Sequence, residues 1–543
     1  MRSIFEAYLA GAAPAFYAGQ FTDAGVRRRA VVRASRPLAP AVADAIEAQN
    51  ARYPPSAARA SNLDALRRGA AAVVTGQQVG LFLGPLFNLY KAASAILAAR
   101  VLREETGEKV VPVFWLQTED HDLPEIAECN VPCARGTPLS LRLPSSQSDR
   151  ISIAHCSLPA EVSACLEALG SEIANLPHAA EHLDHLGRHY RPGAGWAAAY
   201  GGMLAELFAD EGLVLVNPRD AELAKVMAPV HRRAVEKAGA IADALLTRSR
   251  ELEEAGFAST VHVRPQSPLS FFHPGSADGP RHRLEATANG FVEVGGDATH
   301  THRELLAALD ADPLCFSSSV LLRPIVQDTL LPTAAYVGGP AEVAYFAQLA
   351  PVYDAFEVAM PLVVPRARLT IVEEKTARAL ARLGIAPAEA AHTEEAILKS
   401  ARRTPPASGS PEDLAHALLT PFESALRGLG DQLDAAGPSV VAAAEKTRAT
   451  VQDAIGRLVR KVETAELHRD AELVDEVRRL KMQLYPNGVP QERFYNFSYF
   501  AARYGERGFV TRVLGGIEPF DPQPRPLFWR ESDTADEDRE VRR

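Results

Sequence analysis

Short apolar runs alternate with longer amphipathic stretches along the first two-thirds of the chain. The apolar runs are predicted to be strands, at 71–75, 110–116, 213–216, 333–337 and 360–365. The stretches predicted to be helices lie at 85–104, 197–210 and 341–356. Because strands that alternate with helices form parallel sheets, this order predicts an α/β fold with a doubly wound parallel sheet.

Two polar stretches interrupt this alternation and are predicted to be insertions into a core of residues 1–372. The first covers about 134–200 and contains Pro-Ser-Ser-Gln-Ser at 144–148. The second covers about 257–312 and combines turn residues with short alternating segments such as 291–294. Turn-rich segments of this kind favour excursions from a sheet edge over a continuation of its core.

The pattern changes to purely helical in residues 373–484. Helices are predicted at 373–388, at 411–436 with Ser410 as the N-cap, and at 439–484 with apolar residues near heptad spacing. One helix of that length extends roughly 70 Å at ~1.5 Å per residue, which favours an antiparallel coiled-coil arm. The arm is predicted to make a homodimer contact, and an intramolecular hairpin is the alternative. Residues 485–543 are predicted to return to the core, with 531–543 frayed.

Composition narrows the class of protein. The 543 residues are 47% apolar and 23% charged, with a net charge of −10 and a pI near 5.9. An acidic chain without a basic stripe is not expected to bind nucleic acid. No apolar run approaches the ~20 residues that span a bilayer, and no signal peptide is recognised. With five cysteines, an odd number, we predict reduced thiols and a cytoplasmic location.

The segment from Thr75 to Pro85 is the first candidate binding loop. Glycines let backbone N–H groups approach a ligand, and the start of a helix favours phosphate or carboxylate. The spacing matches no standard phosphate-binding motif, and a plain turn with a solvated lysine is the alternative. The candidate residues for binding substrate or nucleotide here are Thr75, Gly76, Gln77, Gln78, Gly80, Gly84, Asn88 and Lys91.

Glu119, Asp120, His121 and Asp122 follow the next strand and form the second candidate loop. Carboxylates packed around an imidazole separate pKa values, which general acid–base chemistry requires. We predict Asp120, His121 and Asp122 as catalytic residues and Glu119 as a binding residue. The acids could instead hold an ammonium group, sugar hydroxyls or Mg²⁺, or the loop could only cap a helix.

Polar residues around the strand at 333–337 and after the strand at 360–365 complete the predicted site. Arginines can clamp a carboxylate through two parallel hydrogen bonds, although structural ion pairs are an equal alternative. The small-residue turn at 338–340 opens a further helix. The binding candidates are Arg323, Gln327, Gly338, Gly339, Glu342 and Arg366.

Two histidine clusters are not predicted to bind metal. His182, His185 and His189 have helical spacing, but neither a cysteine nor an acid completes a recognisable ligand pattern. We expect these histidines to be solvated, and we expect the same of His300 and His302. No metal-ligand set is therefore predicted.

Five segments together resemble the cysteine-adding enzymes of bacillithiol biosynthesis, the BshC family of cysteine ligases. They are VVTGQQVGLFLGPL at 73–86, PVFWL with EDHD at 112–122, LRPIVQD at 322–328, YVGGPAEVAYF at 336–346 and LYPNGVPQER at 484–493. The resemblance covers nearly the whole chain, with the segments in the family's order.

The resemblance implies a Rossmann-like core related to nucleotidyltransferases, with connecting-peptide insertions and a dimer-forming coiled-coil arm. The implied reaction joins L-cysteine to glucosaminyl malate through an amide, with ATP activating the cysteine carboxylate and Mg²⁺ as a possible companion ion. The signature motifs of class I aminoacyl-tRNA synthetases are missing, so the nucleotide is an inference by analogy. The alternatives are a nucleotidyltransferase that adenylates another small acid and a non-catalytic dimeric nucleotide-binding protein.

Overall fold

The computed structural model of the chain describes residues 2–133, 136–144, 150–265, 267–296, 298–401, 411–467 and 470–529. The chain divides into two compact units. Of the described residues, unit 1 contains those in 2–370 and 492–527, and unit 2 contains those in 371–491 together with 528 and 529. The predicted Ser410 cap and the frayed segment 531–543 lie outside the described residues.

The helices and strands have the following bounds. The helices before residue 260 are α1 Ile4–Leu9, α2 Ala24–Ala34, α3 Pro40–Asn50, α4 Ala57–Arg67, α5 Phe87–Thr106, α6 Leu123–Ile126, α7 Val162–Ile173, α8 Ala179–His189, α9 Trp196–Leu207, α10 Ala221–Glu236 and α11 Ala238–Glu254. The later helices are α12 His302–Ala311, α13 Arg323–Leu330, α14 Pro340–Phe346, α15 Ala350–Phe356, α16 Glu374–Leu383, α17 Glu394–Ala401, α18 Pro411–Gly428, α19 Gly430–Ala435, α20 Pro438–Leu467, α21 Ala471–Leu484, α22 Gln491–Phe494, α23 Ser498–Tyr504 and α24 Glu506–Gly516. The strands are β1 Ala71–Gln78, β2 Val110–Gln117, β3 Glu128–Val131, β4 Leu139–Arg142, β5 Val214–Val216, β6 Ser270–Phe272, β7 His282–Thr287, β8 Gly290–Val294, β9 Thr299–His300, β10 Phe316–Ser318, β11 Thr333–Gly338, β12 Leu362–Pro365, β13 Leu369–Glu373 and β14 Arg525–Trp529.

The core of unit 1 is a five-stranded parallel sheet in the order β12-β11-β1-β2-β5, as far as the chain is described. Its strands are buried on both faces, as expected for a sheet covered by helices on each side. The strand order reverses between β1 and β11, because β2 and β5 follow on one side and β11 and β12 on the other. Ligands in open α/β sheets bind at such a reversal, beyond the carboxyl ends of the strands.

The connection from β1 to β2 shows how the sequence builds this sheet. Val73 and Val74 are fully buried and pair with Pro112 and Val113 in parallel register. Between the strands, α5 ends at Gly107, whose left-handed φ of 73° only glycine adopts easily. The predicted βαβ unit and doubly wound fold are confirmed.

The two predicted insertions are more regular than their sequences suggested. Residues 134–200 contain the helices α7 and α8, which were not predicted. Residues 257–312 contain most of an antiparallel sheet in the order β10-β6-β7-β8-β9. Leu284, Phe291 and Leu305 form part of the small apolar core beneath that sheet. This core explains why the alternating segment near Phe291 forms a strand.

Four of the predicted helices are interrupted. The helix predicted at 373–388 ends at Leu383, after which Gly384 is left-handed, and the helix predicted at 411–436 is divided into α18 and α19. The single helix predicted at 341–356 is wrong, because α14 ends at Phe346 and α15 begins at Ala350. Pro351 occupies the first turn of α15, where a proline is tolerated but could not continue an earlier helix. The single helix predicted at 439–484 is also wrong. It is divided into α20 and α21, and the Asp470 side chain caps the second by accepting from the Leu473 N–H at 3.0 Å.

Unit 2 contains the antiparallel coiled-coil helices that the heptad pattern predicted. The helices α18 and α20 pack antiparallel, and Arg448 pairs with Glu423 at 3.2 Å. Arg448, a charged residue within the apolar heptad pattern of 439–484, thus serves as an ion-pair partner. Leu458 of the stripe is 50% exposed in the single chain, whereas its neighbour Val459 is buried. No helix in the described part of the chain is long and apolar enough to cross a membrane.

Candidate active site

A cleft of about 580 Å³ lies at the carboxyl edge of the parallel sheet in unit 1. The ends of β1 and β2, the turn after β11 and the residue after β12 all contribute to its lining. Residues from outside this sheet complete it. The predicted binding or catalytic residues that line the cleft are Gly76, Gln77, Gln78, Lys91, Asp120, His121, Arg323, Gly339, Glu342 and Arg366.

Lys91 lies at the bottom of the cleft, with its ammonium group almost completely buried. Its Nζ donates to the Gly76 carbonyl at 2.7 Å and to Oε1 of Gln77 at 2.8 Å, and it forms an ion pair with Glu342. Burial lowers the pKa of Lys91 to about 8, although the nearby Glu342 charge opposes the shift. The cleft therefore contains an ammonium group that titrates near neutral pH.

Glu342 connects Lys91 to a group of tyrosines. Its Oε1 accepts from the Tyr336 hydroxyl at 2.5 Å, and its Oε2 accepts from the Gly339 N–H at 2.8 Å. Burial acts to raise the pKa of Glu342, but Lys91 and the hydrogen bonds hold it below the usual value. Arg323 donates to the Tyr345 hydroxyl at 2.7 Å, so this side of the cleft is a connected polar network.

The two candidate loops meet through Gln78. Its Nε2 donates to Oδ2 of Asp120 at 2.9 Å and to Oε2 of Glu125 at 2.8 Å. The Asp120 side chain keeps 27% of its surface exposed, so its carboxylate is reachable from the cleft. The structure thus places the amide-rich strand end and the acid–imidazole loop in one cleft.

Arg281 controls the state of His121, and sequence reasoning missed it. It comes from the segment before β7, where it is buried over the Phe271 ring, and its Nη2 donates to the Ser318 carbonyl at 2.7 Å. Its Nη1 lies 3.2 Å from Nδ1 of His121 and 3.4 Å from Oδ1 of Asp120. Burial and the Arg281 charge lower the pKa of His121, so the ring is neutral at pH 7.

This contact sets the tautomer of His121. A guanidinium only donates, so Nδ1 of the neutral ring accepts and Nε2 carries the hydrogen. Asp120 does not orient the ring through a direct hydrogen bond. Its Oδ1 lies 3.6 Å from Nδ1 and accepts instead from the His121 backbone N–H at 2.8 Å. His121 therefore offers an N–H donor through Nε2.

Glu119 is turned away from the cleft. It is 1% exposed, and its carboxylate accepts from both the hydroxyl and the backbone N–H of Ser318. These bonds attach the loop after β2 to β10 of the antiparallel sheet. Asp122 precedes α6 and is absent from the cleft lining among the described residues.

Arg366 is held by Glu492 in a buried, bidentate ion pair at 2.8 and 2.7 Å. Its guanidinium lies 5.3 Å from the centre of the Phe87 ring, and Arg493 lies 5.6 Å from the same centre. Because both ends of the Arg366 guanidinium are bonded to one carboxylate, a positively charged group is held in a fixed orientation at the end of β12. Arg493 also lines the cleft and was not predicted.

The glycine loop after β1 is closed rather than open. Phe82 and Leu83 are buried, and Asn496 donates to the carbonyls of Phe82 and Gly84 at 2.6 and 2.8 Å. The helix begins at Phe87 instead of the predicted Pro85, because the Leu86 N–H already donates to the Tyr495 carbonyl at 2.8 Å. This helix start is therefore not an open anion site.

The remaining candidates lie behind the cleft. Thr75 donates to the Val337 carbonyl at 2.8 Å, and Asn88 donates to the Leu83 carbonyl at 2.8 Å. Gln327 accepts from Arg323 at 2.9 Å and donates to Asp328. In the described structure the candidates absent from the cleft lining are Thr75, Gly80, Gly84, Asn88, Glu119, Asp122, Gln327 and Gly338.

Positive charge dominates the cleft. Five cationic side chains line its described surface, against the three carboxylates of Asp120, Glu125 and Glu342. The cations are Lys91, Arg281, Arg323, Arg366 and Arg493. A concave site of this kind suits carboxylate or phosphate groups, and its volume is within the usual range for small-molecule sites. The residues fit an anionic nucleotide at these side chains and not at the closed helix start.

The expectation that the three histidines of α8 are solvated is wrong. His182 and His185 are buried, and both bond through Nδ1 to the carboxylate of Glu506 at 2.6 Å. The spacing of these histidines, three and four residues apart, correctly indicated that they share one face of a helix. The partner on α24 lies more than 300 residues away in sequence and could not be inferred.

The fold and the family comparisons define an α/β enzyme with a Rossmann-like core and a cleft lined by cationic side chains at the carboxyl edge of its sheet. Residues 2–367 match the family described as Bacillithiol biosynthesis BshC, N-terminal Rossmann-like domain. Residues 369–524 match its companion, Bacillithiol biosynthesis BshC, C-terminal coiled-coil domain. The chain belongs to the BshC family, which confirms the predicted family and fold class.

Curated relatives span nearly the whole chain, and each is named "Putative cysteine ligase BshC". The protein of Koribacter versatilis is 38% identical, over 86% of this chain and 85% of its own. That of Salinibacter ruber is 32% identical over 90% and 89%. That of Geobacillus thermodenitrificans is 30% identical over 92% and 93%. The predicted ligase class agrees with these names.

Among solved structures, an arginyl-tRNA synthetase of Thermus thermophilus aligns over 86% of both chains. It is 14% identical, and the TM-score is 0.16. That score is too low to indicate a shared fold.

Proposed function

We propose that this chain forms an amide between the carboxyl group of L-cysteine and the amino group of glucosaminyl malate, with ATP as the activating nucleotide. The observation that carries the proposal is the single cleft in which Asp120 and His121 face Lys91 and Glu342. One side offers a carboxylate for an amine, and the other offers cations for anionic groups. The family's bacillithiol assignment and its relatives' names supply the substrate class.

The amine is expected to bind beside Asp120. An amino sugar is an ammonium ion near neutral pH and must lose protons before its nitrogen can attack a carboxyl carbon. Asp120 accepts the ammonium hydrogen bonds and then a proton, while Gln78 holds its carboxylate in place. Asp122 belongs to the same loop but does not line the cleft, so it is proposed to act through its charge, which acts to raise the pKa of His121. The balance is one new C–N bond, one broken bond from the carboxyl carbon to its leaving oxygen, and two protons lost from the ammonium group, one before the nitrogen attacks and one after the C–N bond forms.

His121 is proposed to donate a hydrogen bond during amide formation. It does not take the proton from the amine, which is the role of Asp120. Its Nδ1 accepts from Arg281, so the N–H on Nε2 is the group available to substrate. A neutral donor of this kind stabilises negative charge as it develops on the carboxyl oxygen. Arg281 also adds positive charge beside that oxygen.

Anionic groups of the substrates are proposed to bind along the arginines. The malate portion carries two carboxylates, and cysteine carries one, whereas the cleft offers five cations. ATP, when bound, supplies the phosphoryl or adenylyl group that turns the cysteine carboxylate into a reactive ester or anhydride. Lys91 and Arg323 are the side chains proposed to hold its phosphates. Mg²⁺ is proposed as a companion of the nucleotide.

The direct test combines purified protein with L-cysteine, glucosaminyl malate, ATP and Mg²⁺. We expect the coupled thiol by mass spectrometry, together with stoichiometric AMP and pyrophosphate or ADP and phosphate. Asp120→Asn should abolish product, and Asp64→Asn, an exposed acid outside the cleft, should not. Absence of product with every nucleotide and metal would contradict the proposal. Pyrophosphate release with a different acid would favour the adenylating alternative.

The coiled-coil unit is proposed to form the homodimer. Leu458 on α20 is half exposed, and an apolar residue in a helical stripe is a common contact between copies. Light scattering of the purified chain should give twice the monomer mass. Leu458→Glu should shift that mass toward the monomer without changing the helix content.

A further inference from the structure

Three helices of unit 1 bring a group of histidines and carboxylates together outside the cleft. His185 and His189 lie one turn apart on α8 and face Glu206, near the end of α9. The Nε2 atom of His189 lies 2.7 Å from Oε1 of Glu206, and Nε2 of His185 lies 3.1 Å from its Oε2. One donor atom from each of the three side chains falls within 4.8 Å of the other two.

Glu506 on α24 fixes the orientation of one of these rings. Its Oε2 accepts from Nδ1 of His185 at 2.6 Å, and its Oε1 bonds Nδ1 of His182 at the same distance. A histidine that donates from Nδ1 to a carboxylate presents the lone pair of Nε2 on its other side. This is the arrangement by which outer carboxylates orient histidine ligands of metals.

The Nε2 atom of His185 is buried, and its 3.1 Å contact with Oε2 of Glu206 does not have hydrogen-bond geometry. A buried ring nitrogen usually finds a partner, so one aimed at a carboxylate and a second imidazole indicates a missing group.

The backbone of α9 leaves room for the second ring. A Cβ at Gly202 would lie 2.4 Å from Nδ1 of His189, so any other residue there would displace that imidazole. The His189 and Glu206 side chains are 14% and 24% exposed, so an ion can reach them from solvent.

We propose that Nε2 of His185, Nε2 of His189 and the carboxylate of Glu206 bind one Zn²⁺ ion, with Glu506 orienting His185. Two imidazoles and a carboxylate are an established zinc-ligand set, and a water completes four-coordination. None of these side chains lines the described surface of the cleft. The ion links α8 to α9, and through Glu506 to α24, and so stabilises this part of unit 1.

Equilibrium dialysis of the metal-free chain against Zn²⁺, followed by elemental analysis, tests the stoichiometry. We expect one ion per chain, with an affinity measured by competition against a chromophoric chelator. His189→Gln and Glu206→Gln should weaken binding at least 100-fold. Glu506→Gln should weaken it about 10- to 100-fold, the usual effect of removing a group that orients a metal ligand.

His178→Gln is the matched control, because it removes a histidine next to α8 that is not among the three ligands. Its zinc affinity should equal that of the wild type within about twofold. Zn²⁺ should raise the Tm of the wild type and of His178→Gln, but not that of His189→Gln. Circular dichroism of each metal-free variant checks that it is folded.

Co²⁺ in place of zinc distinguishes the proposed ligands from the chain's free thiols. A site of two imidazoles and a carboxylate gives visible absorption without a thiolate charge-transfer band. The proposal fails if the wild type takes up no zinc, if His189→Gln keeps wild-type affinity, or if the cobalt spectrum shows thiolate ligation.

Discussion

The loops after β1 and β2 leave the same edge of the same sheet but are used in different ways. The first passes into the interior, where Asn496 and Tyr190 bind its backbone. The second keeps Asp120 and His121 at the cleft, with about a quarter to a third of each side chain exposed. A strand end therefore locates a site, whereas long-range packing decides which loop residues reach it.

Replacing Asp120 by Asn tests the second loop and should have the largest effect. The rate of amide formation should fall about 100-fold or more, because the amide side chain cannot take a proton from the amine. The free energy of unfolding should change by less than about 1 kcal/mol, since the side chain is partly exposed. Steady-state kinetics and urea unfolding measure the two. If Asp120→Asn were less stable but kept normal kinetics, Asp120 would have a structural role and the second loop would not carry the reaction.

Replacing Asn496 by Ala tests the first loop. Two buried carbonyls lose their donor, at about 1–3 kcal/mol each, so the free energy of unfolding should fall by about 2–6 kcal/mol. Asn62→Ala is the matched control, because Asn62 makes one such bond, to Gly212, and is only half-buried. Equal losses in the two variants would show that the first loop is not held in this way.

The pH dependence of kcat/KM tests whether Lys91, at the bottom of the cleft, binds an anionic group of the substrates. Lys91 has a pKa of about 8 in the folded chain, below its usual value, so it loses its positive charge as pH rises through 8. If the cation binds an anionic group, kcat/KM should fall up to tenfold per pH unit above that point. Lys91→Arg should move the fall to higher pH, because a guanidinium stays charged. An unchanged profile in this variant would exclude Lys91 as its origin.

Replacing Gln78 by Ala should have the smallest effect, because it removes only the connection between the loops. We expect the rate to fall about five- to tenfold, since the Asp120 carboxylate loses one orienting hydrogen bond. Gln452→Ala, which removes a similar amide–carboxylate bond from the coiled-coil unit, should leave the rate unchanged. A loss as large as that of Asp120→Asn would mean that Gln78 itself touches substrate.

Much of this arrangement was predictable from local pattern. The strands at 71–75, 110–116 and 333–337 are present and slightly longer than predicted. Helix continuity was less predictable, because Pro351 and Asp470 end or restart helices within stretches whose apolar spacing runs on. A helical period records which residues share a face and does not record where the backbone is interrupted.

The site was predictable only in part. Gln78, Asp120 and Lys91 stood out because they follow buried strands or begin the next helix. Arg281 had no such signal, because it precedes a short strand in a turn-rich insertion and reaches Asp120 across 161 positions. Residues of this kind depend on the packing of a second sheet against the first.

The sequence by itself determined the order of strands and helices, the family and the sheet edge at which polar groups gather, since these follow from periodicity and from motifs of neighbouring residues. The tertiary structure alone decided that the glycine loop is closed, that His121 accepts from Arg281, and that the α8 histidines meet Glu206 and Glu506. Hydrogen bonds and burial depend on partners far away in sequence, and no local pattern specifies them.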